Sequence, residues 1–368
     1  MKQKIAIIGA SYLQLPLIEK AKEMGYETHV FAWAAGDVGE TAADVFYPIS
    51  IVEKEQILEK CREAGICGIC SIGSDLAMVA VNYVAEQLGL VGNSVAATAK
   101  STNKHLMRRA FEANGDPSPR SILVEESTDL DALELTYPVI VKPTDRSGSR
   151  GIYKLSDASG LKAAVNSAMA QGFEKKALVE EFAEGQEYSV EYISCQGEHH
   201  FLALTHKYTT GAPHFIETGH LEPAPVDTDT LERVKAVVAH ALDSLELKNG
   251  ASHTELKIAQ DGTIRLIEIG GRMGGDCIGS DLVRYSAGYD FVKMVIDVAC
   301  GKAPDFTRVC DPHPAAVRFI FTYEDMEAYR RMQREEPERI LEEVYLHPEN
   351  IGSITDSSNR AGCYIYHP

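Results

Sequence analysis

His253-Thr-Glu-Leu-Lys-Ile-Ala-Gln-Asp-Gly-Thr-Ile-Arg-Leu-Ile-Glu-Ile269 decides how the rest of the chain is read. Apolar and polar residues alternate on both sides of the Gln260-Asp-Gly turn, the pattern of a β-hairpin whose alternate side chains share one face. Glu255 and Glu268, thirteen positions apart, then fall opposite each other on that face. Two carboxylates so close repel unless a cation lies between them. The pair outlines a divalent-metal site, against the plainer reading of two outward glutamates on a wet face. Mg2+ takes one or two carboxylates and completes its shell with phosphate oxygens, so the pair suits a nucleotide-bound metal better than a closed protein cage.

The company these carboxylates keep supports that reading. Lys142 sits in Tyr137-Pro-Val-Ile-Val-Lys-Pro143, a strand bounded by prolines, where an uncompensated ammonium would be costly and a phosphate would relieve the cost. The alternative is an edge lysine whose head reaches solvent. In the loop Asp145-Arg-Ser-Gly-Ser-Arg-Gly151, Gly148 and Gly151 let backbone N–H groups approach phosphate oxygens, and Ser147 and Ser149 add hydroxyls. Lys104, at the start of a helix running from about Asn103 to Asn114, offers a second cation. Ala177 to Ala183 is an apolar strand whose end can pair with an adenine edge, and Glu187 can accept from ribose hydroxyls. In Gly270-Gly-Arg-Met-Gly-Gly-Asp276 the glycines let the backbone come near a substrate, and the Arg272 fork can grip a carboxylate or an acyl phosphate.

Composition narrows the classes. With 36 Lys and Arg against 54 Asp and Glu, the formal charge is −18, which repels nucleic acid and anionic lipid surfaces. No stretch of about 18 apolar residues appears, and Ile5-Ala-Ile-Ile8 is too short for an export signal, so a cytoplasmic protein is expected. The eight cysteines then read as reduced thiols, and Cys67-Gly-Ile-Cys70 as a buried strand in preference to a metal or redox pair.

Along the chain, the first 95 or so residues alternate strand and helix (Lys4 to Gly9, Leu15 to Met24, Glu27 to Ala32, Ile51 to Ala64, Gly68 to Ile72, Leu76 to Leu88), which predicts an open parallel sheet. Gly9-Ala-Ser-Tyr-Leu-Gln lacks the later glycines of a dinucleotide fingerprint, so a nicotinamide site receives only a weak signal. A small α+β lobe follows, then strands around Gly185 and Phe201 to Thr205. Thr209 to Pro225 is expected as a long loop able to act as a lid, Thr228 to Leu245 as a helix, and the chain past Asp311 as a small closing subdomain.

The order of these motifs resembles the ATP-grasp superfamily over nearly the whole chain. Asn103-Lys-His-Leu-Met-Arg-Arg resembles its first lysine segment, Val139-Ile-Val-Lys-Pro143 with Ser147-Gly-Ser-Arg-Gly151 its second lysine and phosphate loop, and Leu178-Val-Glu-Glu-Phe-Ala183 its adenine hinge, with Glu180, Glu181, Phe182 and Ala183 as contacts. Glu187 matches its ribose-contacting glutamate, and Glu255 and Glu268 its magnesium carboxylates. The usual Glu-x-Asn is here Glu268-Ile-Gly270, which leaves the metal count open.

The glycine-rich stretch resembles the L-amino acid ligase branch, which implies substrate roles for Arg272 and for His220, 35 positions before Glu255. Gly274 and Gly275 let the backbone come near that substrate, and Glu217 and His220 are the candidates for the base that takes the amine proton. Arg272 and His220 would be the catalytic pair. The implied fold combines α/β and α+β parts: a parallel pre-ATP-grasp domain at 1–98, an N-lobe with lid at 99–176, an antiparallel C-lobe carrying the nucleotide site at 177–310, and a C-terminal subdomain at 311–368. The implied chemistry joins a small-molecule carboxylate to an amine through an acyl phosphate, using ATP and Mg2+, with Mn2+ as a substitute metal. A purine-pathway or carbamoyl-phosphate-type ligase and a non-catalytic ATP-binding protein are the alternatives. Many relatives pair, so a homodimer is among the expectations.

Overall fold

A computed structural model describes residues 2–146, 150–211, 216–352 and 360–368. The first sheet is fully parallel, in the order β3-β2-β1-β4. Its strands are β1 (Lys4–Ile8), β2 (Glu27–Phe31), β3 (Val45–Tyr47) and β4 (Gly68–Cys70). Near-continuous apolar strands such as Lys4-Ile-Ala-Ile-Ile8 are what a sheet covered on both faces requires. One cover is the helix Phe291–Ala299, where all but Lys293 are buried. Its side chains share a core with Ile5, Ile7, Ile193 and Ala251, so it is packed between the parallel sheet and the largest sheet. The approach is close: a Cβ on Gly68 would lie 2.6 Å from Ala299 O.

A second, antiparallel sheet has the order β5-β8-β6-β7. It is built from β5 (Ser121–Val124), β6 (Val139–Pro143), β7 (Tyr153–Leu155) and β8 (Ala177–Glu181), with helix Leu161–Gln171 against one face.

The third sheet has eight strands. They are β9 (Gln186–Cys195), β10 (Glu198–Thr209), β11 (Glu217–Glu222), β12 (Gly250–Ile258), β13 (Ile264–Gly270), β14 (Ala315–Ile320), β15 (Ile340–Leu346) and β16 (Gly362–Tyr366). Their order is β13-β12-β9-β10-β11-β14-β16-β15. Strand alternation gives β9 two functions: Val190 and Tyr192 enter a core with helix Thr228–Ser244, while Glu187, Ser189 and Glu191 point to the opposite side.

One expectation changes here. The stretch 209–225, read as a loop, contains β11, which bridges β10 and β14. The C-terminal strands are hydrogen-bonded into the third sheet through β14 and β16. No helix among the described residues is long and apolar enough to cross a membrane.

Candidate active site

Glu255 and Glu268 are direct cross-strand partners, as the hairpin reading expects. The register that makes them so depends on a bulge: Glu255 pairs with Glu268, but Leu256 pairs with Leu266. Ile267 is the extra residue, and its carbonyl accepts from Arg108 Nη2 at 2.7 Å.

A cleft of about 180 Å3, open to solvent, runs between this hairpin and the second sheet. At one end Pro119, Ile140, Ile152, Phe182 and Ile267 give apolar walls beside the chain at Glu181 and Ala183, the dry slot a base needs. Phe182 is flanked by two ammonium groups, Lys154 at 3.5 Å and Lys257 at 4.8 Å from its ring centre. At the other end the cleft is lined by Lys104, Lys142, Glu187, Glu217, Glu255, Glu268 and Arg272.

The lysines are prepared for an anion. Lys142 Nζ lies 2.6 Å from Glu180 Oε2, and Arg108 Nε lies 2.8 Å from the other oxygen of the same carboxylate. Glu180, expected in the adenine hinge, directs its side chain to these two cations. Burial pushes its pKa up, but Arg108 and Lys142 outweigh burial and hold it below the ordinary range. Lys142 is pulled below its ordinary range by burial, with Arg108 and Lys104 adding to the pull against Glu180. One carboxylate shared between two buried cations leaves room for more negative charge, which a phosphate supplies. Lys104 Nζ contacts Glu268 Oε1 and the Arg146 carbonyl, both at 2.7 Å.

Facing Glu255, Lys207 holds three carboxylates at once: Glu255 at 2.7 Å, Glu187 at 3.2 Å and Glu217 at 3.8 Å. These overcome burial and raise its pKa. Burial would raise the Glu255 carboxyl, yet Lys207 and His253 hold it well below the usual range. Burial, with Asp276 nearby, raises Glu217 against the pull of Lys207 and Arg360. Around this single ammonium the carboxylates are in excess, so the donor set fits a divalent cation bridging to phosphate. Among the described residues no group of three or more His, Cys, Asp or Glu could hold a metal ion.

Arg272 differs from expectation. Its Nε and Nη2 each lie 3.0 Å from an oxygen of Asp75, and Nη1 donates to Met273 O at 3.2 Å. Three of its five N–H donors are thus engaged and two remain for a substrate. Asp75 opens the helix Asp75–Leu88 that follows β4, at the carboxyl end of the parallel sheet where ligand sites of such sheets form. Gly270 is required by this contact, since a Cβ there would come within 2.4 Å of Asp75 Oδ1. The same crowding accounts for a glycine where an asparagine would be usual.

His220 on β11 is buried, edge-on to Phe319 at 5.6 Å. Among the described residues neither ring nitrogen has a hydrogen-bond partner. Burial, with Lys207 and Arg360 nearby, holds it well below its ordinary pKa, as a neutral imidazole. Gly274 donates its N–H to Glu191 at 2.9 Å, and Gly275 has open space on its Cβ side, with Leu13 at 4.0 Å. Gly151 (φ +71) abuts Pro143 and Gln171. Ser147, Gly148 and Ser149 lie outside the described residues.

Five participants escaped the sequence reading: Asp75, Arg108, Glu191, Lys207 and Arg360, the last ion-paired to Asp276 at 2.9 Å and Glu217 at 3.1 Å. Lys207, at the end of the apolar run Leu202-Ala-Leu-Thr205, and Asp75, just past a parallel strand, carried a usable signal. Arg360 follows a run of polar residues and carried none.

The cleft brings paired carboxylates and buried lysines together beside the parallel sheet. Residues 135–281 match the ATP-grasp domain model. The chain is similar to the alanine–anticapsin ligase of Bacillus subtilis, 28% identical over 308 residues, a match covering 74% of this chain and 65% of that protein. The chain thus spans just under two thirds of the length of that relative. Among solved structures it resembles the L-amino acid ligase from Bacillus licheniformis, with TM-score 0.80, 21% identity, and coverage of 99% and 93% of the two chains. It also resembles a phosphoribosylglycinamide synthetase from Anaerococcus prevotii, with TM-score 0.78, 23% identity, and coverage of 100% and 94%. At these identities the solved structures establish the fold alone.

Proposed function

We propose that the chain is an ATP-dependent carboxylate–amine ligase that forms an amide or peptide bond between amino-acid substrates. The observation that carries this reading is the meeting, in one cleft, of the paired carboxylates Glu255 and Glu268, the buried Lys104 and Lys142, and Arg272. The names of the alanine–anticapsin and L-amino acid ligases point the same way.

In the reaction a carboxylate oxygen attacks the γ-phosphorus of ATP, the bond to ADP breaks, and an acyl phosphate forms. The amine nitrogen then attacks the acyl carbon, phosphate leaves, and the nitrogen loses a proton. The chain's residues screen, align and exclude water. Lys104 and Lys142 neutralise phosphate oxygens, and the free donors of Arg272 orient the carboxylate. Glu217, which lines the cleft and whose pKa is raised by burial, is the candidate to accept the amine proton; His220 is the second candidate, although burial and the cations near it oppose its protonation. Mg2+ held by Glu255 and Glu268, with Mn2+ as a substitute, would supply further charge neutralisation at the phosphates. The reading includes small-molecule substrates, a cytoplasmic location and pairing of two copies, the last open to sedimentation analysis.

The test is a phosphate-release screen with ATP, Mg2+ and pairs of amino acids, with alanine as the first member, run beside bicarbonate. Stimulation by an amino-acid pair supports the ligase reading. Stimulation by bicarbonate alone assigns the chain to purine-pathway or carbamoyl-phosphate-type chemistry, and ATP binding with no stimulated release to a non-catalytic role.

A further inference from the structure

Beneath the cleft lie two buried groups that the reaction has not used. Glu191 on β9 has no exposed surface, and His253, its cross-strand partner on β12, is 6% exposed. One oxygen of Glu191 accepts the Gly274 N–H at 2.9 Å, and the other meets Nδ1 of His253 in a short hydrogen bond. The far ring nitrogen of His253 stands 3.6 Å from Glu255 Oε1. The fit is too close for a side chain at 274, where a Cβ would come within 2.7 Å of both Glu191 Oε1 and His253 Nδ1. A continuous line of polar contacts therefore runs from the glycine-rich loop, through Glu191 and His253, to the carboxylate that faces Glu268.

Taking a carboxylate wholly out of water is expensive, and well-packed apolar side chains would serve the fold at least as well. What distinguishes this pair is what it touches at its two ends. A carboxylate bound to one nitrogen of an imidazole fixes which nitrogen faces outward and at what angle, the means by which outer partners aim metal ligands.

We infer that Glu191 and His253 are positioning residues: Glu191 orients the His253 ring, His253 aims Glu255 at the cation position, and the same Glu191 carboxylate locks the Gly274 backbone, so that metal side and substrate loop are set together. The inference rests on the reading of Glu255 as a metal-side carboxylate.

The probe is Mn2+, titrated by electron paramagnetic resonance into the full chain with a non-hydrolysable ATP analogue and no other substrate. Glu191→Gln and His253→Ala should weaken Mn2+ binding about 10-fold or more, while metal-free binding of the analogue changes less than about twofold. His253→Gln, whose amide can still donate toward Glu255, should recover part of the loss. Gly274→Ala should weaken Mn2+ as well. Unchanged Mn2+ affinity in folded Glu191→Gln and His253→Ala, with loss in Glu255→Gln, overturns the positioning role alone. Unchanged affinity in Glu255→Gln removes the metal assignment beneath it. If Glu191→Gln does not fold, the two His253 variants decide.

Discussion

Glu222 lies fully buried on β11 between the hydroxyls of Thr205 at 2.7 Å and Ser286 at 2.5 Å. Among the described residues no cation is paired with it, and burial pushes its pKa up to about 8 from an ordinary 4.5. Because the folded value is raised, the stability the proton confers is fully present below about 4.5 and is lost as pH rises through about 8. Glu222→Gln should therefore be more stable than the wild type above neutrality, by a few kcal/mol. The gap should shrink to nothing near pH 4.5; urea melts at several pH values measure it, and a gap that does not vary with pH would count against the buried neutral acid. Arg272 allows a second expectation at this scale. A lysine cannot hold Asp75 through two parallel bonds and still present donors to a substrate. Arg272→Lys should lower kcat/KM for the carboxylate about 100-fold while the KM for ATP stays nearly unchanged, as steady-state kinetics would record. The cleft residues with distinctive context, Lys142 between prolines and Glu255 and Glu268 about a turn, were legible in the sequence. Asp75 and Arg360 were less so, because their meaning comes from partners 197 and 84 positions away.

Among the elements, the β12–β13 hairpin was readable because its alternation is local, but its bulge was not. The bulge is tied to Arg108, which reaches Ile267 O across 159 positions. β11 was misread as loop for an instructive reason. Glu217-Thr-Gly-His-Leu-Glu222 buries His220 and Glu222, so its inward face is polar and the usual hydropathy alternation is missing. Gly185, entering β9, offers a test of how the sheet is joined. It has φ +116, and a Cβ there would meet Ile258 O at 2.4 Å. Gly185→Ala should cost more than about 1 kcal/mol and loosen the pairing of β9 with β12, read as a lower urea midpoint and faster hydrogen exchange in those strands.

At the scale of the molecule, the parallel sheet and the large antiparallel sheet share one core through helix Phe291–Ala299, and Asp75, just past the parallel strand β4, reaches the cleft beside Arg272. The sequence conveyed the succession of parallel and antiparallel parts. It did not convey this dependence, since an apolar helix face in the sequence does not say which layers it joins. We keep the division at residues 98, 176 and 310 as a proposal, and the shared core makes the first boundary testable. A chain beginning at residue 99 would expose the apolar face of that helix and should lack a cooperative thermal transition, whereas independent melting would show the parallel domain to be dispensable for the fold.

The most direct test of the central claim, that this cleft activates a carboxylate by transferring the γ-phosphoryl group to it, is oxygen transfer from a carboxyl-18O-labelled amino acid during turnover with ATP and an amine. One 18O per molecule of released phosphate, with ADP as the other product and loss of both in Glu268→Gln, is the expected result. Unlabelled phosphate, or AMP and diphosphate in place of ADP and phosphate, would contradict it.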